Sequence, residues 1–315
     1  MTEVSSEYGS DLDLATFRRP SRGTIRAAAC GAYGAAFAVA LWRWGVPLER
    51  PIVLAWLMGL AAVTTIGRTG GGLLPVLRDW LPYGVAMTAY DFTRGAADGL
   101  GMPIQRQLPI AVDKFLFFGH VPNVELQKWL GPFGRDVAWW QIPMALIYAS
   151  HFVVPFVIPA VLWIRNRERF RAWRRRFFSM VAVGLLTYVL LPAVPPWMAS
   201  KQGAIGPITR IVNRGWSRIG VTIADRVFDM GTRTVNVVAA LPSLHAAFAG
   251  LAAAFFWRST RPWLRPLLAL YPIGMALTLV AGGEHYVFDI LLAWVYLAAI
   301  LWFWARREGL RRASA

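Results

Sequence analysis

Apolar runs of membrane-spanning length recur along the whole chain, separated by short polar or basic stretches. A helix needs about 20 apolar residues to cross the hydrocarbon core of a bilayer, where every backbone polar group must be bonded internally. Only 16% of the 315 residues are charged, compared with roughly 25% in soluble proteins. The sequence therefore predicts an all-α, polytopic membrane helix bundle with about eight transmembrane helices, in a range of about six to eight.

The basic residues gather in blocks between the apolar runs. Four such blocks are "FRRPSRGTIR", "RNRERFRAWRRR", "RSTRPWLR" and "ARREGLRRASA". Cytoplasmic loops of membrane proteins are enriched in Lys and Arg in this way, and anionic lipid headgroups attract them. The net charge of +16 therefore indicates a multi-pass protein of the cell membrane, with lipid and not nucleic acid as its partner.

The alternation of basic blocks with apolar runs predicts the topology. Spans are expected near residues 27–46, 51–66, 138–163, 177–194, 237–257, 266–283 and 286–305, with a short third span at "LPYGVAMTAYDF". Segments 93–137 and about 195–235 are expected outside. The expected division is a cytoplasmic tail (1–26), one membrane-embedded catalytic domain (27–305, motif-bearing core about 138–305) and a basic cytoplasmic tail (306–315).

The stretch "HYVFD" near the start of the last span contains a candidate catalytic pair. Asp289 follows His285 by four residues, so on a helix the two side chains lie one turn apart. A carboxylate bonded to one ring nitrogen fixes the tautomer and makes the other nitrogen more basic, as in an activated nucleophile or base. The alternative is a structural pair, in which the two buried side chains only bond to each other. Ionisable residues within membrane spans, however, are costly and usually functional.

The stretch "PSLH" places His245 near the predicted external end of another span. Proline and Ser243 can open a helix, which leaves backbone N–H groups exposed to an anion. A histidine two residues after that serine could donate a proton to a leaving oxygen. Alone this stretch favours an ordinary helix start, but its combination with the downstream His–Asp pair is more specific.

These stretches resemble the second and third signature motifs of the type 2 phosphatidic acid phosphatase superfamily of integral-membrane enzymes. The resemblance is closer to its inositol phosphorylceramide synthase branch, in which a Pro-Pro-aromatic turn precedes them. The matching stretches are "LPAVPPWMAS", "LPSLHAA" and "EHYVFDILLAW", and "YDFTRGAADGLG" also resembles bacterial members of that branch. The chain is thus expected to have the membrane-bundle fold of this superfamily.

The resemblance implies that His285 attacks phosphorus and forms a phosphohistidine, that Asp289 orients it, and that His245 protonates the leaving alkoxide. It implies an inositol-phosphate-type headgroup moved from a phospholipid donor to a lipid or glycolipid acceptor on the extracytoplasmic face. No metal or other cofactor is implied. Hydrolysis of a lipid phosphomonoester or pyrophosphate is the alternative. A transporter is a minor one, since no internal repeat is evident and the polar residues gather at one membrane face.

Two phosphate-binding features of the superfamily are missing. Leu279 stands where an arginine is expected, and Lys201 lacks the Arg-Pro that should follow it. A phosphoryl transition state still needs cationic stabilisation. The candidate cations on the external side are Arg94, Lys201, Arg210, Arg214 and Arg233, and Arg94 is favoured because Tyr90, Asp91 and Asp98 accompany it.

Three further residues, His151, His120 and Trp197, lie in distinctive sequence contexts. His151 lies mid-span and could be a partner of a catalytic side chain, a substrate hydrogen bond or a packed neutral histidine. His120 is expected to be an ordinary loop residue. Trp197, in "PPW", lies where a lipid headgroup would enter.

Overall fold

The computed structural model describes residues 20–44, 50–68, 73–96, 102–131, 133, 136–218 and 239–313. In these ranges the chain is helical, with two isolated β-bridges that join Ala193 to Gln105 and to Ala239. The helices are α1 (Arg22–Trp44), α2 (Arg50–Thr64), α3 (Leu73–Ala96), α4 (Leu108–Leu116), α5 (Pro122–Leu130), α6 (Gln141–Arg165), α7 (Arg167–Leu190), α8 (Pro196–Lys201), α9 (Arg214–Arg218), α10 (Leu244–Trp257), α11 (Arg265–Ala281) and α12 (Val287–Ala313). The all-α prediction is confirmed.

Four helical stretches are long and apolar enough to cross a membrane, namely Arg22–Trp44, Gln141–Arg165, Pro262–Ala281 and Val287–Leu310. Two shorter apolar helices, Ile52–Thr64 and Leu244–Trp257, accompany them. The chain is therefore a multi-pass membrane protein. Each of the eight sequence-predicted spans overlaps a helix (α1, α2, α3, α6, α7, α10, α11 or α12), while the number that cross the bilayer stays a prediction.

The basic block "RNRERFRAWRRR" is not the loop that the sequence suggested. Helix α6 ends at Arg165 and α7 begins at Arg167, so only Asn166 separates them. Asn166 has extended backbone angles, and its side-chain oxygen accepts a hydrogen bond from the Arg169 amide at 2.9 Å. This N-cap starts a new helix at once, and the arginines that follow it are good helix formers.

Helix α10 is shorter than the predicted span 237–257, because it begins only at Leu244. Its sequence "LHAAFAGLAAAFFW" is rich in small residues, and most of them are buried among α6, α7, α11 and α12. A side chain at Gly250 would come within 2.8 Å of Leu297 on α12, and one at Gly184 on α7 within 2.9 Å of Leu244. Small residues let helices approach closely in a membrane, and this packing places the start of α10 at the centre of the bundle.

Candidate active site

Three histidines that are far apart in sequence meet at the start of α10. The ring centroids of His151 and His245 lie 3.8 Å apart with the rings stacked, and those of His245 and His285 lie 5.7 Å apart. Tyr148 stacks near His245 as well, at 4.9 Å. His151 and His285 are buried. The structure therefore brings together both motif histidines and adds His151 from α6 as a direct neighbour of one of them.

His285 and Asp289 form the pair that their spacing suggests. Nδ1 of His285 lies 3.2 Å from Oδ2 of Asp289, and the same oxygen accepts the Tyr286 amide at 3.0 Å. Asp289 is wholly buried. A carboxylate at Nδ1 favours the tautomer with its proton there, so Nε2 becomes the basic, nucleophilic nitrogen. The backbone carbonyl of Asp289 also accepts the Ser243 amide at 3.1 Å, which ties the two motifs together.

The start of α10 positions His245. Ser243 is the N-cap, and its buried hydroxyl oxygen accepts the Ala246 amide at 3.3 Å. The preceding carbonyl, of Pro242, accepts a hydrogen bond from the hydroxyl of Tyr188 at 3.0 Å. His245 is the second residue of the helix, so it lies where the first amides give α10 a positive end. The structure thus gives Ser243 a capping role beside the histidines.

The turn that carries His285 is held by α5, a helix of the segment that is predicted to be external. The side-chain amide of Asn123 donates to the carbonyls of Val280 and His285, both at 2.9 Å. One turn further along α5, the Gln127 amide donates to the Ala281 carbonyl at 2.6 Å. The segment described from sequence only as a long external stretch is therefore what fixes the backbone of the candidate nucleophile.

Asp113 on α4 caps the helix that follows His285. Its carboxylate accepts the amides of Val287 at 3.1 Å and Phe288 at 2.8 Å, the first two residues of α12. Burial raises the pKa of Asp113 to about 6, because it penalises the charge more than these two hydrogen bonds favour it, and the charge of Asp289 adds to the rise. Sequence reasoning missed Asp113, since a cap normally lies next to its own helix.

A charged pair flanks the candidate nucleophile. Arg210 binds both carboxylate oxygens of Glu284 through one edge of its guanidinium, with Nε to Oε1 at 2.6 Å and Nη2 to Oε2 at 2.9 Å. The same guanidinium lies 5.0 Å from the ring centre of Trp197, and Nζ of Lys201 lies 5.1 Å from that ring. The Trp197 amide also donates to the carbonyl of Gly283 at 3.0 Å. Glu284 was missed from the sequence, although its place directly before His285 was a signal.

Leu279, which replaces an expected arginine, belongs to the packed core. Its side chain is wholly buried, and its carbonyl accepts the amides of Glu284 at 3.0 Å and His285 at 3.3 Å. Gly283 in this turn has φ +73°, and a side chain there would come within 2.5 Å of Ile208, so glycine fits the turn. The position thus supplies the backbone of the turn and no positive charge.

The favoured cation, Arg94, and its companions lie partly or wholly outside the described residues. Tyr90, Asp91 and Arg94 belong to the last two turns of α3, but their side chains lie outside the described part of the chain, as does the whole of Asp98. Arg233 lies outside the described residues too, and Arg214 begins α9. His120 is exposed, and its Nδ1 lies 3.7 Å from Glu125 on the outer surface of α5.

The histidine cluster is recessed along α6. His151 lies ten residues after the start of α6 at Gln141, which corresponds to about 15 Å along the helix axis. His245 and His285 do lie at the ends of their helices, as the sequence suggests, but these ends reach only the middle of α6. His151 thus lies near the middle of α6, as its mid-span position in the sequence suggests.

Comparison with known proteins identifies related sequences. The sequence model of the PAP2 superfamily matches residues 110–303. The phosphoinositol dihydroceramide synthase of Bacteroides thetaiotaomicron is 30% identical over 157 residues, which cover 47% of this chain and 50% of that protein. The inositol phosphorylceramide synthase catalytic subunit aur1 of Schizosaccharomyces pombe is 28% identical over 177 residues, or 55% of this chain and 40% of that protein.

The matched stretches thus span half or less of the length of these two curated relatives. No solved structure matches the chain. The superfamily match begins within α4, just before Asp113, and ends within α12, well after Asp289. The histidine cluster, its caps and the amides that hold the nucleophile turn therefore all lie in the matched part.

Proposed function

Because the chain belongs to the PAP2 superfamily, we propose that it is an integral-membrane lipid phosphotransferase that works through a phosphohistidine intermediate. The observation that carries the proposal is the arrangement of His285, Asp289 and His245, with the two imidazole centroids 5.7 Å apart and the carboxylate 3.2 Å from Nδ1 of His285. This is a nucleophile with an orienting acid, and a second imidazole faces it.

The first half of the reaction breaks the bond between phosphorus and the lipid oxygen of the donor. Nε2 of His285 attacks phosphorus in line with that oxygen, and a P–N bond forms as the P–O bond breaks. His245 gives its proton to the departing alkoxide. Asp289 stabilises the positive charge that develops on the His285 ring.

The second half reverses these roles. The acceptor hydroxyl gives its proton to His245 and attacks the phosphohistidine, so a new P–O bond forms while the P–N bond breaks. The products are the acceptor lipid with the headgroup and a regenerated His285. The aromatic rings of Tyr148, Phe152 and Phe248 surround the His151–His245 stack, and this apolar wall favours a lipid acceptor over water.

The transferred phosphate also needs a cation. Arg210 is the described arginine bound next to the nucleophile, but Glu284 already occupies the Nε–Nη2 edge of its guanidinium and balances its charge. The candidate favoured from sequence, Arg94, therefore remains the proposed cation, with Asp91, Asp98 and Tyr90 as its companions. Trp197 and Lys201 are proposed to contact the headgroup, because they form one side of the turn before His285.

The names of the two relatives support an inositol-phosphate-type headgroup and a ceramide-type or other hydroxyl acceptor. The extracytoplasmic side is supported by the placement of the basic blocks. Arg175 and Arg176 of α7 pair with Glu308 near the end of α12, whereas His285 directly precedes the start of that helix. The histidines and the arginine-rich block thus lie toward opposite ends of the bundle.

A headgroup-transfer assay tests the proposal. Purified protein in mixed micelles receives phosphatidylinositol labelled in its inositol ring, with ceramide, with diacylglycerol or with no acceptor, and His285→Ala serves as the inactive control. We expect labelled product lipid only when an acceptor is present. Release of water-soluble label at the same rate with and without acceptor would instead identify a hydrolase, and no turnover of any phospholipid would overturn the proposal.

A further inference from the structure

A groove of about 700 Å³ lies between α3 and α7, outside the histidine cluster. Its walls are the side chains of Leu77, Leu81 and Val85 from α3 and of Phe178, Ala182 and Leu185 from α7, among others of the same apolar kind. The volume is in the range of sites that bind small molecules, roughly 300–1,000 Å³. The one charged residue in its lining is Arg78.

Arg78 belongs to a cluster with excess positive charge. The buried carboxylate of Asp79 is approached by Arg167 at 3.0 Å, by Arg174 at 3.1 Å and by Arg78 at 3.6 Å. Three guanidiniums thus meet one carboxylate, which leaves two positive charges unbalanced. The Arg78 side chain is 76% exposed, so it is the member of the cluster that is most accessible to an external anion.

The groove runs along α3 on both sides of Arg78, one turn back to Leu74 and about two turns on to Ala86. Ala86, the farthest α3 residue of its lining, lies eight residues after Arg78, or about 12 Å along the helix. Pro82 lies between them and also lines the groove. Proline has no N–H and cannot bond the carbonyl four residues earlier, so α3 lacks one backbone bond at the Arg78 carbonyl. An apolar groove that continues about 12 Å beyond a cation matches an acyl chain attached to an anionic headgroup.

We propose that this groove binds an anionic phospholipid, with an acyl chain between α3 and α7 and the headgroup phosphate against Arg78. A zwitterionic lipid fits less well, because its own cation would meet the excess positive charge of the arginines. Basic clusters beside membrane helices attract anionic lipid by about 1 kcal/mol per charge. The bound lipid would join α3 to α7 and is separate from the lipids that react at His285.

Thermal unfolding of the full-length protein in a neutral detergent tests this inference. We expect phosphatidylglycerol to raise Tm saturably, by about 2–4 °C, and phosphatidylcholine with the same chains to have little effect. Arg78→Gln should abolish the rise by removing the headgroup contact. Ala182→Trp should abolish it by filling the groove from an exposed position.

Two matched controls should keep the rise. Arg258→Gln removes an exposed arginine elsewhere, and Ala299→Trp enlarges an exposed alanine of α12. Equal shifts from both lipids, a shift from glycerol phosphate alone, or an undiminished shift in Arg78→Gln would each overturn the proposal. A shift that survives Ala182→Trp would overturn it too, because the lipid would then bind by charge alone.

Discussion

Two buried aspartates in this bundle have opposite surroundings. Asp289, at the histidine cluster, has one imidazole and one backbone amide as its partners, both on Oδ2. Asp79, toward the arginine-rich end, has Arg167 and Trp163 on Oδ2, with Arg174 on Oδ1. Burial is alike in the two, at 0% and 7% exposure, so burial alone does not distinguish them.

The difference lies in what the partner can do with a proton. A guanidinium keeps its protons at all ordinary pH values, so a carboxylate matched by arginines is a fixed part of the structure. An imidazole gains and loses a proton near neutral pH, so a carboxylate matched by histidine can follow a reaction. We therefore expect Asp289 to act in catalysis and Asp79 to act in stability.

The largest effects should come from the imidazole-matched site. His285→Ala should remove turnover altogether, and Asp289→Asn should slow it roughly 10³–10⁴-fold, because the amide favours the wrong tautomer of His285. Initial rates of headgroup transfer measure both effects, and an unchanged elution volume shows that each variant is folded. Wild-type rates in Asp289→Asn would mean that the pair is structural, like Asp79.

A third carboxylate sharpens the comparison. Both carboxylate oxygens of Glu284 are bonded by Arg210, so by the same argument this pair is structural although it adjoins His285. We expect Arg94→Lys to slow transfer about ten- to hundredfold, since a lysine cannot reproduce the planar fork that holds a phosphate.

Arg210→Lys is the matched comparison under equal expression, and we expect it to have the smaller effect on kcat. Near-normal rates in Arg94→Lys together with a severe loss in Arg210→Lys would mean that the cation that binds the phosphate lies in the second segment predicted to be external, about 195–235, and is not Arg94.

At the arginine-matched site the expected effect is on stability. Asp79→Asn leaves three arginines without their carboxylate, and we expect a loss of about 1–3 kcal/mol. That is less than for a fully buried pair, because the Arg167 and Arg78 side chains are 40% and 76% exposed. Tm and the yield of monodisperse protein report this loss. Turnover per folded molecule should stay near the wild-type value, and its collapse at unchanged Tm would contradict the distinction.

The smallest effect concerns Asp113, whose carboxylate is matched only by backbone amides. Burial raises its pKa from 3.8 to about 6, so the folded state binds this proton more tightly than the unfolded state. Its contribution to the free energy of unfolding is thus fully present below pH 3.8 and is lost as pH rises through 6. Between those pH values the loss should be on the order of 1 kcal/mol.

Asp113→Asn cannot titrate and should remove this part of the pH dependence. Tm measured in detergent from about pH 4 to pH 8 compares the two proteins. Parallel Tm curves for the wild type and Asp113→Asn would show that Asp113 does not carry the expected proton.

Local features of the site could be predicted from the sequence, and long-range ones could not. The His285–Asp289 contact needs only a helix and a spacing of four residues, and the Ser243 cap lies next to its own helix. His151 meets His245 only because a short, small-residue helix enters the middle of the bundle. No spacing rule predicts that contact in a single sequence.

For the membrane helices too, local features could be predicted from the sequence and long-range contacts could not. The length of the apolar runs located these helices. The basic block "RNRERFRAWRRR" predicted a loop, and this prediction was wrong because arginine is also a good helix former. Asn123 and Gln127 did carry a signal in "PNVELQ", two amides one helical turn apart. Their targets are carbonyls more than 150 residues away, which the pattern does not indicate.

The cap that Asp113 places on α12 joins residues 174 and 175 positions apart. During synthesis, the Asp113 carboxylate and the amides of Asn123 and Gln127 exist long before the α11–α12 hairpin that they bind. Until that hairpin is inserted, these polar groups lack the partners that they have in the folded bundle, and burying any of them without its partner would cost about 1–3 kcal/mol. A chain interrupted before its last helix therefore lacks Asp289 and leaves these groups without their partners, so assembly of the membrane bundle and assembly of the reactive centre are completed in one step.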